Sequence, residues 1–270
     1  MDYNTIILTK KDHLATLTLN RPDKRNAINT QMMDELLSAL SDIAEDNDIR
    51  AMVITGAGKA FCAGADIDLM PGGEEDHLLS NQGVEALRHS YIFKVAKKLI
   101  LSLQKMEKPT IAMINGVCVG AGFDLALACD IRVACDKAKF MCGFVKIGLF
   151  PGFGAAWLYP RAMGLAKAFE LLFTGDVLYA AEAKEIGMLN KLTTVEDLET
   201  ATLKIANSIA NGPPIAIRLM KSQVYKGLSS DLDTALDEAA MCESITLVSN
   251  DHKEGVNALR EKRSPSFNGD

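Results

Sequence analysis

The sequence predicts a mixed α/β fold, and two observations lead to that prediction. In the first half of the chain, two strand-like segments are followed by a helical pattern and a third strand, and glycine-rich turns come after them. The last third carries mainly the apolar spacing of helices. This order favours a sheet packed with helices in one large domain, or in one domain with a smaller appendage.

The N-terminal segments predict two strands, a helix and a third strand. The strands are expected at residues 5–9, 13–20 and 51–56, and the helix from about residue 30. In the second strand, apolar residues alternate with threonines, as in a strand with one buried face. The polar residues Lys10–Asp12 predict the turn between the first two strands, and Asn29 or Thr30 is available as the helix cap.

The middle of the chain predicts a loop, a long helix and a strand that ends in small residues. The expected elements are a loop at 71–83, a helix at 84–106, a strand at 110–120, a short helix at 122–130 and a strand at 130–135. The loop is compatible with a mobile segment beside a pocket or with a plain surface loop. Further helices are expected at 161–173, 180–187, 195–211, 213–227 and 232–248.

Composition excludes several classes of protein. A net charge of -6 and a pI near 5.3 argue against nucleic acid as a main partner. The six cysteines form no CxxC pair, which favours buried, reduced thiols, and the four histidines lack metal-ligand spacing, so no metal site is expected. Neither a secretory signal nor a membrane-spanning apolar run is present, which indicates a cytoplasmic protein.

Two small-residue turns are the strongest candidates for chemistry. They lie in FCAGADIDLM at 61–70 and in NGVCVGAGFDLALACD at 115–130, where a strand meets a helix through Gly120–Gly122. Small residues let a ligand approach the backbone, and the first N–H groups of a helix have no acceptor within the helix. Such donors can hold an oxyanion, although a tight turn without a ligand has the same sequence. Phosphate-loop, GxGxxG and GxSxG motifs are incomplete or absent.

These turns, together with four other segments, resemble the crotonase (enoyl-CoA hydratase/isomerase) superfamily over nearly the whole chain. The matching stretches are 20–29, 55–67, 108–122, 124–140, 146–164 and 254–267. The resemblance implies a spiral of repeated ββα units over residues 1–200 and a C-terminal helical trimerisation region over 201–270. It also implies a homotrimer or a dimer of trimers, and an acyl-CoA substrate with no cofactor beyond its coenzyme A.

The same resemblance assigns binding residues. It implies that the amides of Ala65 and Ala121 form an oxyanion hole for the thioester. The coenzyme A moiety is expected at a loop and a turn that contain Lys24, Arg25, Ala27, Ala63, Asp66 and Ile67. Lys and Arg side chains suit its phosphates, and small residues leave room for adenine. Without the resemblance, Lys24 and Arg25 have the composition of a solvated charged turn.

The acid–base residues depart from the family pattern. Family hydratases carry two glutamates, and the first of these positions holds Asp124 here. The second holds Phe144, which takes no proton, and the acid that the phenylacetyl-CoA-pathway isomerase branch has after its proline is replaced by Gly152. Phe144, Phe150 and Gly152 are expected to line an apolar acyl pocket, and Tyr91 or His89 is an alternative second proton carrier.

The leading hypothesis is therefore an enoyl-CoA or dienoyl-CoA hydratase or isomerase with Asp124 as acid–base, in fatty acid or aromatic acid metabolism. A decarboxylase of a malonyl-type CoA is one alternative, since it needs the oxyanion hole but little acid catalysis. The sequence offers no obvious cation for the free carboxylate of such a substrate. A catalytically weak CoA-ester-binding protein is the other alternative, because one family acid is missing.

Overall fold

The computed structural model of the chain describes residues 3–70, 73–74, 83 and 91–270, with Tyr91 and Ile92 described by their backbone only. The ten strands of these ranges are β1 (Ile6–Lys11), β2 (Leu14–Leu19), β3 (Ala51–Gly56), β4 (Ala60–Cys62), β5 (Thr110–Ile114), β6 (Val117–Val119), β7 (Ile131–Cys135), β8 (Lys139–Met141), β9 (Val177–Tyr179) and β10 (Lys191–Thr193). The helices are α1 (Thr30–Glu45), α2 (Tyr91–Lys105), α3 (Ala121–Ala128), α4 (Ala155–Thr174), α5 (Ala180–Glu185), α6 (Leu198–Ala210), α7 (Pro214–Gly227), α8 (Leu232–Leu247) and α9 (Asn250–Glu261).

The strands form two sheets, and from β3 to β8 successive strands alternate between them. The larger sheet has the order β1-β2-β3-β5-β7-β10, and the smaller has the order β4-β6-β8-β9. Neighbouring strands are parallel, except for the antiparallel pairs β1/β2 and β8/β9. The pairs β3/β4, β5/β6 and β7/β8 thus contribute one strand to each sheet, and a helix follows each pair. This is the spiral of repeated ββα units that the resemblance implied.

The first hairpin turns later than predicted. Lys10 and Lys11 belong to β1, where they pair with Ala15 and Leu14, so the predicted turn at Lys10–Asp12 is wrong. The turn is formed by Asp12 and His13, whose φ angles are 50° and 65°. Two consecutive residues with positive φ form the tight turn that matches the twist of antiparallel strands.

The strand predicted at 110–120 is in fact two strands that lie in different sheets. The chain leaves β5 at Asn115 and Gly116 and enters β6 of the smaller sheet. A Cβ on Gly116 would lie 2.1 Å from the carbonyl oxygen of Lys59, so only glycine fits at this crossing. Strands β4, β8, β9 and β10 were not predicted, because segments of three residues show no measurable period.

Helix α1 begins directly after a segment that carries predicted site residues, and helix α3 carries others in its first turn. Helix α1 begins where predicted, and the side chain of Asn29, rather than that of Thr30, accepts a hydrogen bond from the Met32 N–H at 3.0 Å. All eight residues of α3 are buried, which is the pattern of a helix inside the core rather than on the surface.

The part of the predicted helix before residue 91, with His89, and most of the predicted loop at 71–83 lie outside the described residues.

The C-terminal helices pack in part on the larger sheet and in part expose large apolar side chains. Helix α6 packs against the larger sheet, and the proposed boundary at residue 200 falls inside it. Helices α7 and α8 expose a row of large apolar residues: Met220, Val224, Leu228, Leu232, Leu236 and Met241.

None of the helices within the described ranges is long and apolar enough to span a membrane. The six cysteines are unpaired, and five are buried, as predicted.

Candidate active site

The two predicted turns lie side by side in the structure. Each follows a strand of the smaller sheet, and these strands, β4 and β6, are parallel neighbours with Cys62 opposite Cys118. Because parallel neighbouring strands end at the same edge of a sheet, the segments that follow β4 and β6 both turn at that edge. A Cβ on Gly122 would lie 2.5 Å from the Cβ of Cys62, so the start of α3 packs directly on the end of β4.

Glycines at the two turns bring their backbones into contact. Gly64 has a φ of +99° and Gly120 a φ of +52°, both in the region that side chains disfavour. A Cβ on Gly64 would lie 3.0 Å from the carbonyl oxygen of Val119 and 3.7 Å from the nitrogen of Ala121. The first turn therefore lies against the N-terminus of α3, and Ala65 and Ala121 belong to adjoining segments.

The amides of Ala65 and Ala121 lie outside the pairing that holds their turns. Gly64 accepts a hydrogen bond from the Ile28 N–H at 2.8 Å, and the Asp66 N–H donates to the Ile28 carbonyl at 2.9 Å. In this parallel bridge the N–H of the middle residue, Ala65, is directed away from Ile28. Ala121 is the first residue of α3, where an N–H has no acceptor within the helix.

Asp124 lies in the first turn of the same helix. Its main-chain N–H donates to the Gly120 carbonyl at 3.0 Å, and its side chain is fully buried. Neither carboxylate oxygen completes a hydrogen bond within the described chain. Burial raises the pKa of Asp124 to about 8, and the neighbouring Tyr159 hydroxyl only partly offsets this effect. A carboxyl with such a pKa can exchange a proton near neutral pH.

The three residues expected to line an acyl pocket have different surroundings in the structure. A Cβ on Gly120 would lie 3.3 Å from Cζ of Phe144, so this ring packs on the turn at Gly120–Gly122. Gly152 faces Phe93, whose Cε1 would lie 3.4 Å from a Cβ on the glycine. The side chain of Phe150 is 77% exposed, so its place in an acyl pocket stays a prediction.

Gly152 also lines an apolar groove of 590 Å³ between α2 and α4. Its walls include Ile100, Leu101, Phe153 and Trp157. The Asp124 carboxyl and the two turns do not line this groove, so it does not contain the candidate site.

The residues expected to hold coenzyme A come together on two neighbouring segments. The Ala63 N–H donates to the Arg25 carbonyl at 3.0 Å, which joins the loop at 21–28 to the first turn. The side chains of Lys24 and Arg25 are exposed, and Lys24 Nζ lies 3.7 Å from Asp68. Ile67 is 73% exposed beside them, whereas Ala27 is buried and Ala63 is half-buried.

Asp66 has a structural partner that the sequence did not reveal. Its buried carboxylate accepts a hydrogen bond from Arg21 Nη1 at 2.6 Å and also receives the Asp68 N–H. Burial opposes ionisation of Asp66, but these donors outweigh it and hold the pKa below its usual value. Sequence reasoning also missed Tyr159, because nothing near it in the chain marks a phenol that lies beside Asp124. The side chain of Tyr91 is outside the described residues.

The ββα spiral places the chain in the fold class of the crotonase-type enzymes. Residues 9–270 match the enoyl-CoA hydratase/isomerase family, and the chain belongs to that family. It is 37% identical to the crotonyl-CoA hydratase of Syntrophomonas wolfei over 99% of both chains. It is 36% identical to the 1,2-epoxyphenylacetyl-CoA isomerase of Escherichia coli over 94% of both. The crystal structure of enoyl-CoA hydratase from Bacillus anthracis superposes with a TM-score of 0.90 at 32% identity, covering 99% of this chain and 100% of that one.

Proposed function

We propose that this enzyme forms the enolate of an enoyl-CoA thioester, holds its oxygen at the amides of Ala65 and Ala121, and moves a proton with Asp124. The observation that carries the proposal is the buried, unpartnered Asp124 carboxyl in the helix turn that begins at Ala121. A thioester carbonyl bound at the start of α3 would lie near both the amide and the carboxyl.

The amides supply electrostatic stabilisation. Charge develops on the thioester oxygen as the enolate forms, and fixed N–H donors stabilise that charge without reorganising. The N-terminus of α3 adds the positive end of its dipole. The tight packing of Gly64 and Gly122 supports the proposal, because it fixes the spacing of the two turns before the substrate binds.

Coenzyme A would bind along the loop and the turn next to this site. The exposed Lys24 and Arg25 provide cations for its phosphates, while Ala27, Ala63 and the exposed Ile67 provide small and apolar surface. The carboxylate of Asp66 is bound to Arg21, so its contribution would be to hold this wall in place.

Double-bond isomerisation is the reaction that one carboxyl can complete alone. The ionised Asp124 takes a proton from the α-carbon of a β,γ-enoyl-CoA, which leaves a dienolate, and returns that proton to the γ-carbon to give the α,β-enoyl-CoA. Phe144 and Gly152 stand where the relevant family branches carry a second acid, so these positions do not assist the transfer. The apolar groove beyond Gly152 supports a bulky acyl group.

Hydration is the second candidate, because the chain resembles a crotonyl-CoA hydratase over its whole length. In that reaction Asp124 would take a proton from the water that attacks the β-carbon and return it to the α-carbon. One positioned acid–base group contributes ~10²–10⁴-fold, so hydration with a single carboxyl remains feasible.

Incubation with β,γ-enoyl-CoA, α,β-enoyl-CoA and malonyl-CoA esters tests the assignment. We expect isomers of unchanged mass, separated by chromatography, or a gain of one water, and no loss of carbon dioxide. Asp124→Asn should lower turnover by at least ~10²-fold and leave CoA-ester binding nearly intact. The matched control is Asp136→Asn, which alters an acid at the protein surface and should keep full activity. Full activity in Asp124→Asn would refute the proposal.

A further inference from the structure

Tyr159 on α4 is a second buried polar group without an explanation in the fold. Its side chain is fully buried, and its hydroxyl completes no hydrogen bond within the described chain. An unpartnered buried polar group destabilises the folded state, so a phenylalanine would serve packing better. Asp124 has the same property, and the two groups lie beside each other.

The ring of Tyr159 is held in place by aromatic packing. Its centroid lies 4.8 Å from that of Phe123, the residue before Asp124, at an angle of 50° between the ring planes. Phe123 in turn packs on Phe140 at 5.2 Å. Because this cluster is in the core, the hydroxyl has little freedom to move away from the carboxyl.

The groups that face Asp124 are neutral. Besides Tyr159 they are the thiols of Cys118 on β6 and Cys142 after β8, and burial raises the pKa of both thiols. No cation of the described chain contributes to the pKa of Asp124. The Tyr159 hydroxyl is therefore the strongest hydrogen-bond donor facing the carboxylate when Asp124 is ionised, since a thiol donates weakly.

We propose that Tyr159 is the positioning residue of the proton transfer: its O–H donates a hydrogen bond to the ionised Asp124 carboxylate and aims it at the substrate. This inference rests on the proposed function. The phenol keeps its own proton throughout, and only the proton that Asp124 takes from the substrate or from water and then returns is moved. The hydroxyl thus favours the ionised state of Asp124. The positions where family branches carry a second acid hold Phe144 and Gly152 in this chain.

The pH profile of Tyr159→Phe tests the proposal, because this variant keeps the ring and removes only the donor. We expect the apparent pKa of the Asp124 step in the kcat profile to rise by about one unit. At pH 7, kcat should fall ~10-fold, while KM changes less than about twofold. Thermal unfolding should show a midpoint close to that of the wild type, since the variant keeps the ring and its packing on Phe123. Tyr179→Phe, at an exposed tyrosine, is the control and should match the wild type.

A double-mutant cycle shows whether Tyr159 acts through Asp124. In the Asp124→Asn background, Tyr159→Phe should cause no further loss of turnover. An unchanged pH profile in Tyr159→Phe, or a full additional loss in the double variant, would overturn the inference while leaving the proposed function standing. Full activity in Asp124→Asn alone would instead overturn the proposed function.

Discussion

Arg21 donates from one nitrogen, Nη1, to the Asp66 carboxylate and to the Ala27 carbonyl, each at 2.6 Å. The Arg21 side chain is 17% exposed and that of Asp66 is 2% exposed, so this ion pair is largely shielded from water. It joins the proposed CoA loop to the turn that carries Ala65, and the position of one proposed oxyanion donor depends on it.

We expect Arg21→Met to destabilise the protein strongly. The change leaves the Asp66 carboxylate buried without its partner, and breaking such a pair costs ~3–5 kcal/mol. Urea unfolding at pH 7 measures the loss, and the KM for a CoA ester should rise in parallel. Arg21→Lys keeps the charge and is the control, with a smaller loss because lysine has no planar fork. Equal stability of Arg21→Met and the wild type would contradict this role.

Glycine at position 122 is expected to be irreplaceable. In Gly122→Ala the new methyl group would meet the Cβ of Cys62 at 2.5 Å, which forces β4 and α3 apart. Overpacking of this kind costs ~1–3 kcal/mol and would separate the two turns. The control is Gly227→Ala near the end of α7, where no atom lies within 4 Å of the added group. Chemical denaturation should leave the control unchanged or slightly more stable, and comparable losses in both variants would contradict the close contact.

The sequence predicted the two turns well because their chemistry is local. Gly64 lies in one short motif and Gly120 and Gly122 lie in another, and an apolar strand comes directly before each turn. Arg21 and Tyr159 were missed because their partners lie 45 and 35 residues away, and no local period reports such contacts. The exposure of Phe150 is not evident from the sequence either, since apolar character predicts burial only on average.

Activity should rise with pH in the neutral range. As a base Asp124 must be ionised, and burial raises its pKa to about 8 in the free enzyme. We therefore expect kcat/KM to increase about tenfold per pH unit below pH 7 and to level off above pH 8. Initial rates with an enoyl-CoA ester between pH 5.5 and about 9 measure this profile. A rate that is constant from pH 5.5 to 8 would contradict an essential base with this pKa.

Stability should change with pH in the opposite direction. The pKa of Asp124 is higher in the folded protein than in the unfolded chain, so its contribution is fully present below about pH 4 and is lost as pH rises through about 8. Asp124→Asn removes this contribution and should stabilise the protein relative to wild type at pH 8–9, by at least ~1 kcal/mol. Urea denaturation at pH 5 and pH 9 tests this. A stability difference between variant and wild type that is equal at both pH values would show that Asp124 titrates normally.

The apolar row on α7 and α8 predicts self-association. Val224 and Leu236 are 67% and 61% exposed in the single chain, and large apolar side chains exposed on two neighbouring helices are typical of protein interfaces. We expect a trimer or a dimer of trimers of the 29.2 kDa chain, measured by light scattering coupled to size-exclusion chromatography. Leu236→Asp should shift the protein toward the monomer, because a buried, unpaired carboxylate strongly disfavours the interface. Ser208→Asp, on the exposed side of α6, should leave the mass unchanged, whereas a wild-type protein that elutes as a monomer at micromolar concentration would exclude this interface.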